Sequence, residues 1–261
     1  DAPGTDQALD DRLAAVEAQQ ATATTSAQLA ALLGEARSAG FDFLANATPK
    51  SMAQPFDLTF MIQNAGMDKL DGWSGTPALN HSAAEFYQST FNFSQTLAHL
   101  PAGCYQLKAQ AFQRPGSAAD AYTAYAAGTD KVTTYLYLGP KSVKVKQAVA
   151  DAQTAKLGVG SESTLASTPA TYIPNDMQSA SAYFGRGLYD NEVFADLEAD
   201  DASLRLGIRC GSSDNMYWTI FDNFRLYYYG SLTADVVAGI RDVQPRAATP
   251  ADNVYTLDGR L

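Results

Sequence analysis

Asp222 stands where a carboxylate is costly. In WTIFDNFRLYY the even positions Trp218, Ile220, Phe224, Leu226 and Tyr228 form an apolar series, and strict alternation puts Asp222 on the same face of a strand. An inward carboxylate is compensated by backbone donors, an arginine or a hard cation, because left bare it costs several kcal/mol or takes up a proton. Two readings stay open: a carboxylate hydrogen-bonded at a β-bulge, or a ligand of Ca2+, which draws its oxygens from carboxylates, amides and carbonyls. Residues placed to touch a ligand lie in the connections. Arg114, Tyr122 and Tyr125 fall in QRPGSAADAYTAYAAGTDK (113–131), and Asp214, Asn215 and Tyr217 in GSSDNMY (211–217). Ordinary turn chemistry is the alternative for the Asp and Asn. Trp73 and Trp218 offer faces on which a sugar ring could stack, or are core residues.

Other chemistries find little support. No G-x-x-x-x-G-K-[ST] occurs, and LGVGSES opens no helix of the kind a dinucleotide turn needs. No G-x-S-x-G elbow is present, and His81 and His99 with Cys104 and Cys210 cannot assemble a zinc cluster or a convincing nucleophile–base pair. The two cysteines sit in strand-like stretches and read either as a disulfide between neighbouring strands or as two small buried hydrophobes. A glycosidase needs only two suitably spaced carboxylates and is the enzymatic alternative, with 28 Asp and Glu to draw on.

The elements that must position these groups are of two kinds. Residues 6–45 are Ala- and Gln-rich, with Leu9, Leu13 and Val16, then Leu29, Leu32, Leu33 and Ala36, at helical spacing. They predict a helical hairpin or one long helix, with caps at Thr5 and Ser26 and a stop at Gly40. From about Asp57 the pattern turns to short aromatic and β-branched segments between Gly, Pro, Asn and Asp clusters. In YQLKAQAF, Tyr105, Leu107, Ala109 and Ala111 alternate with polar residues; in SLRLGIRC, Leu204, Leu206 and Ile208 do. Further strands are expected near 58–63, 85–97, 132–138, 142–146, 181–186, 192–198 and 217–229. This is an antiparallel sandwich, each strand with one buried and one wet face. The connections 113–131 and 147–180 are long enough to be functional.

The formal net charge of −10 repels polyphosphate and anionic headgroups, so nucleic acid is not an expected partner. No apolar run is long enough for a membrane helix. A start at Asp1 with neither Met nor leader suits a mature or trimmed exported product, whose export signal is not in the sequence.

Residues 57–230 resemble the carbohydrate-binding-module-like, galactose-binding-like jelly rolls of secreted and surface proteins from glycan-degrading bacteria. The resemblance is carried by Asn64 with Gly72-Trp73, LPAGCYQLKAQAFQR (100–114), YLYLG (135–139), IPN (173–175), FGRGLYDNEV (184–193), LRLGI and WTIFDNFRLYYYG (218–230); NVYTLDGRL (253–261) is similar to the tails of such exported proteins. It implies a secreted or cell-surface, non-catalytic protein whose partner is a glycan, or an adhesive module that joins a surface assembly through a protein partner. It further implies a structural Ca2+, for which Asp68 and Asp222 are the candidate pair. The expected organisation is a helical segment (1–50), a mainly β jelly-roll sandwich (51–230) and a C-terminal linker or tail (231–261).

Overall fold

The computed structural model describes residues 5–46 and 55–237. The Ala-rich segment forms the expected hairpin, α1 (Thr5–Gln20) and α2 (Ser26–Asn46), tied by Arg12 to Glu35 at 2.8 Å and Asp42 at 2.6 Å. The second cap is Thr25 rather than Ser26: Thr25 Oγ1 accepts from Gln28 N while Gln28 Oε1 accepts from Thr25 N, a reciprocal box that needs a Gln three residues on. Nor does Gly40 stop the helix. Ala39 and Leu44 are buried and the Phe43 ring meets Phe56 at 6.3 Å, so packing outweighs the roughly 1 kcal/mol that a mid-helix glycine costs.

Among the described residues thirteen strands follow: β1 (Phe56–Asp57), β2 (Ala78–Asn80), β3 (Ala83–Tyr87), β4 (Phe91–Leu100), β5 (Gly103–Arg114), β6 (Thr134–Leu138), β7 (Lys141–Lys144), β8 (Lys146–Gln147), β9 (Glu162–Thr164), β10 (Tyr172–Pro174), β11 (Asp190–Leu197), β12 (Ala202–Cys210) and β13 (Trp218–Tyr228). The larger sheet runs β11-β5-β13-β3-β2, with β1 also on β13 and β8 parallel to β5; a smaller one runs β4-β12-β6-β7, and β9 and β10 pair in a separate two-stranded sheet. The larger sheet contributes Leu107, Ala109, Phe221, Phe224 and Leu226 to the main core, and the smaller contributes Phe93, Leu136, Leu206 and Ile208. The chain is an antiparallel β-sandwich.

Three strand expectations are corrected. The 58–63 segment is mostly a 3-10 turn (Thr59–Met61) after the two-residue β1. The 85–97 run is two strands in opposite sheets, broken at Gln88, whose φ of 52° is left-handed. Of the 181–186 segment, residues 181–184 form the end of helix α4 (Met177–Phe184), which an Asp176–Ser179 capping box starts, and Gly185 caps it. The 113–131 connection likewise holds a helix, α3 (Ala118–Ala126), boxed by Ser117 and Asp120.

The connection from β8 through the β9–β10 hairpin to α4 lies over the outer face of the larger sheet and makes a second core with Phe112, Leu165, Ile173, Tyr183, Tyr189, Trp218 and Ile220. The polar face of β5 is therefore not wet as alternation suggests. Gln106 and Gln110 are buried, and Gln110 Nε2 donates to the carbonyls of Phe184 and Leu188.

Strict alternation also fails along β13. A register shift between Asp222 and Arg225, with Asn223 at φ 53°, is a bulge, and it splits the apolar series. Trp218 and Ile220 join the outer core, while Phe221 and then Phe224, Leu226 and Tyr228 join the main core.

Cys104 packs with Tyr229 and Val237, whereas Cys210 lies in the other sheet, 3.4 Å from Thr133 Oγ1; both are free and buried. Burial first, then nearby Asp196, pushes the Cys104 thiol up to about 12. Ellman's reagent should leave both thiols untouched in the native chain and titrate two after denaturation; rapid native reaction of either would contradict the packing. Residues up to Val237 continue to pack on this third cluster, while the NVYTLDGRL motif lies outside the described residues.

Candidate functional site

Register brings the site together. Trp218 on β13 pairs with Tyr87 on β3 and with Arg114 on β5, so Tyr87, Trp218 and Arg114 form one row across the end of the larger sheet, on its outer face. The next row on that face is Glu85, Ile220 and Phe112. Above the row opens a cleft of about 480 Å³, walled on one side by Asn80, His81 and Glu85 and on the other by Asn175, Asp176 and Gln178, where the chain enters α4.

The row is rigid where it is buried and open at one end. The Arg114 guanidinium lies 5.1 Å from the Trp218 ring centre, and the indole Nε1 donates to Glu85 Oε2 at 2.6 Å. Phe112 meets the same indole edge-on at 5.2 Å, so Trp218 is a core residue that holds the row in place. Tyr87 is 49% exposed and presents its ring at the mouth.

Arg114 is only 6% exposed, and among the described residues it forms no ion pair. Nε donates to Gly116 O at 3.2 Å and Nη1 to Asn175 Oδ1 at 2.5 Å, which leaves Nη2 as a free donor toward the cleft. Burial lowers its pKa, partly offset by Tyr87. Burial also works against the charge of Asp176, yet the amides of Ser179 and Ser161 outweigh it and hold that carboxyl below its usual range. The cleft thus combines a fixed cation, two carboxylates, amide side chains and an aromatic face.

Of the residues singled out by type and position, Arg114 is in the cleft. Asn215 and Tyr217 lie beside it: Gln88, next to Tyr87, donates through Nε2 to Asn215 Oδ1 at 3.0 Å and through its backbone N to Tyr217 O. Asp214 caps their turn, accepting from Asn215 N. Tyr122 packs against the outer core, and Tyr125 lines a different cavity. Glu85, Tyr87 and Asp176 carried no signal of their own; the IPN motif was the trace of Asn175. Trp73 is buried, stacked on Phe93 at 4.6 Å.

Asp222 feels the charge of Asp68, and neither residue lines the cleft. Asp222 is buried opposite Gln110 and accepts from Asn223 N at 2.6 Å. Burial, reinforced by Asp68 and opposed by that amide and by Arg225, lifts its pKa to about 7. Asp68 is exposed and accepts from Ser82 Oγ at 2.7 Å. Among the described residues no cluster of three or more His, Cys, Asp or Glu side chains has metal-ligand spacing, and no helix is long and apolar enough to cross a membrane.

No family model and no curated protein matches the chain. Among solved structures it is similar to that of TmCBM61 in complex with β-1,4-galactotriose, at 11% identity and a TM-score of 0.33, over 64% of this chain and 97% of that one.

Proposed function

We propose that the chain is a non-catalytic glycan-binding module and that the Tyr87–Trp218–Arg114 cleft holds the sugar. The observation that carries this is the row itself. An exposed tyrosine face suits the apolar face of a pyranose, and within reach of it stand donors that cannot be lost (Arg114 Nη2, Asn175, Gln178) and an acceptor (Glu85). Vicinal hydroxyls, each donor and acceptor, match such a mixed set; a purely anionic ligand would meet Glu85 and Asp176.

Binding without turnover is the better account of the carboxylates. Glycoside hydrolysis needs one carboxyl kept protonated beside the scissile bond. In the cleft, Asp176 is held ionised and spends both oxygens on amides, while the carboxyl that burial raises, Asp222, is not among the residues lining it. Display outside the cell, as the sequence resemblance implies, belongs to the same proposal.

The proposal includes a structural Ca2+ held by Asp222 and Asp68. Their fit rests on donor chemistry: two carboxylates close enough to oppose each other's charge, one of them buried with a single amide bond to offset it. Bound there, the ion would neutralise both groups and tie the segment around Asp68 to β13.

A glycan array with the whole chain, in calcium and again in chelator, tests the reading. One glycan class should bind reproducibly. Tyr87→Ala should weaken it about tenfold, the worth of one stacking contact, without moving the thermal melt. No binding in either condition, or binding indifferent to both Tyr87→Ala and Arg114→Ala, overturns it and favours the adhesive, protein-partner role.

A further inference from the structure

A second cavity, of about 330 Å³, is lined by Tyr125 at the C-terminal end of α3, by the segment that follows it and by the chain from Lys144 to Gln147. Gln113, the neighbour of Arg114, pairs with Gln147 on β8, and Gln147 shares with Val145 the side of the chain that faces the sandwich interior. The cavity floor is Val132 and Val145, both buried; Tyr125, 48% exposed, forms one wall, and Thr129 and Asp130 complete it.

Gln147 is 8% exposed, and its amide is half used. Nε2 donates to Ala121 O at 3.0 Å, whereas Oε1 is buried and has no hydrogen-bond partner. Rotating the amide does not help, since it would set Oε1 against the Ala121 carbonyl and lose the bond already made. A buried acceptor left in this way costs free energy unless something brings it a donor. Here the residue that carries the acceptor lines a cavity large enough for one ring, with an aromatic wall and an apolar floor, so a small turn of its amide brings Oε1 to the occupant.

We propose that this cavity is a second binding site for a single neutral, hydroxyl-bearing ring of hexose size, whose hydroxyl donates to Gln147 Oε1 while its apolar face lies on Tyr125. Charge argues for a neutral occupant. The ionic groups at the rim, Asp130 and Lys144, are paired with each other at 2.5 Å, and Asp130 also accepts from Val132 N. The size argues for one ring rather than a chain, since the volume is at the lower limit for small-molecule sites. The site is separate from the glycan cleft: no residue lines both.

The test is a titration of the 15N-labelled whole chain with D-galactose, D-glucose and D-mannose, with glycerol as a polyol that cannot cover a ring. At least one hexose should shift the amides of Gly128, Thr129 and Val145 saturably at millimolar concentration. Tyr125→Ala should weaken that binding about tenfold and Gln147→Leu should abolish it, while Tyr87→Ala leaves it unchanged. Should Gln147→Leu fail to fold, the exposed Tyr125 variant still decides. Absence of saturable shifts, equal shifts with glycerol, or binding unchanged in Tyr125→Ala overturns the site, whatever the cleft at Trp218 does.

Discussion

In calcium-free buffer the wild-type chain should lose stability as pH rises from 5 to 8, and Asp222→Asn should remove that loss. The direction follows from linkage. The Asp222 carboxyl titrates near 7 in the folded chain, raised by burial and by Asp68 against the pull of Asn223 N and Arg225, and near 3.9 when unfolded. Between those values the native state holds a proton that the unfolded state has given up. The contribution is therefore fully present below about pH 4 and is lost as pH rises through 7. The full shift of about three pH units corresponds to about 4 kcal/mol as an upper bound, since Asp222 is only 5% exposed and little screened, and about 2.7 kcal/mol of it falls between pH 5 and pH 8. Chemical denaturation of both chains at pH 5 and pH 8 measures it, and a flat profile in the wild type would mean that another group compensates the carboxylate.

Calcium should reverse the ranking of the two chains. Ligands for the ion are the ionised carboxylates of Asp68 and Asp222, so at pH 8 calcium at about a hundred times its dissociation constant should stabilise the wild type by about 2.7 kcal/mol. Asp222→Asn should gain little, and Asp68→Asn an intermediate amount. A wild-type melt identical in calcium and in chelator would remove the metal while leaving the pH dependence standing.

The parts of this molecule that sequence conveys are those set by local period. β5 and β12 alternate cleanly because one face of each meets the other sheet, and their inward residues are the ones expected. A bulge at Asp222 was one of the two readings the sequence left open, but strict alternation ignores what it does to the strand beyond it; so Trp218 and Phe224, six residues apart in a single apolar series, lie in different cores. The outer layer was hidden for a related reason. Residues 147–180 are Ser-, Thr- and Ala-rich and look like a loop, yet they supply Ala148, Leu165, Ile173 and Ala180 to a core whose larger members come from elsewhere. The cleft depends on both: Arg114 stood out as an arginine beside a long connection, but its alignment with Tyr87 is a matter of strand register between segments far apart in the chain.

Asn191→Ala should be the substitution that uncouples the outer layer from the sheet. Asn191, the second residue of β11, lies opposite Ala109 and is 8% exposed. Its Nδ2 donates to Ala111 O at 2.8 Å and Tyr189 O at 2.7 Å, and its Oδ1 accepts from Lys146 N at 2.8 Å. One amide thus joins β5, the chain entering β8 and the chain leaving α4, which are the two ends of the layer that carries Asn175, Asp176 and Gln178. Alanine can replace none of these bonds; Tyr189 O keeps the amide of Ala111, but Lys146 N and Ala111 O lose their Asn191 partner at about 1–3 kcal/mol each, so a loss of about 4 kcal/mol is expected, or roughly 10 °C in Tm for a domain of this size. Asp151, which bonds Lys146 Nζ and Tyr189 N, still holds the same junction from outside, so the sandwich should survive while the layer opens more often. Hydrogen exchange should then quicken between residues 148 and 188 more than in β12, and binding in the cleft should weaken along with it, because one of its walls belongs to that layer. Uniformly faster exchange across both sheets would show instead that layer and sandwich unfold as one unit, with Asn191 supporting the whole fold rather than the site.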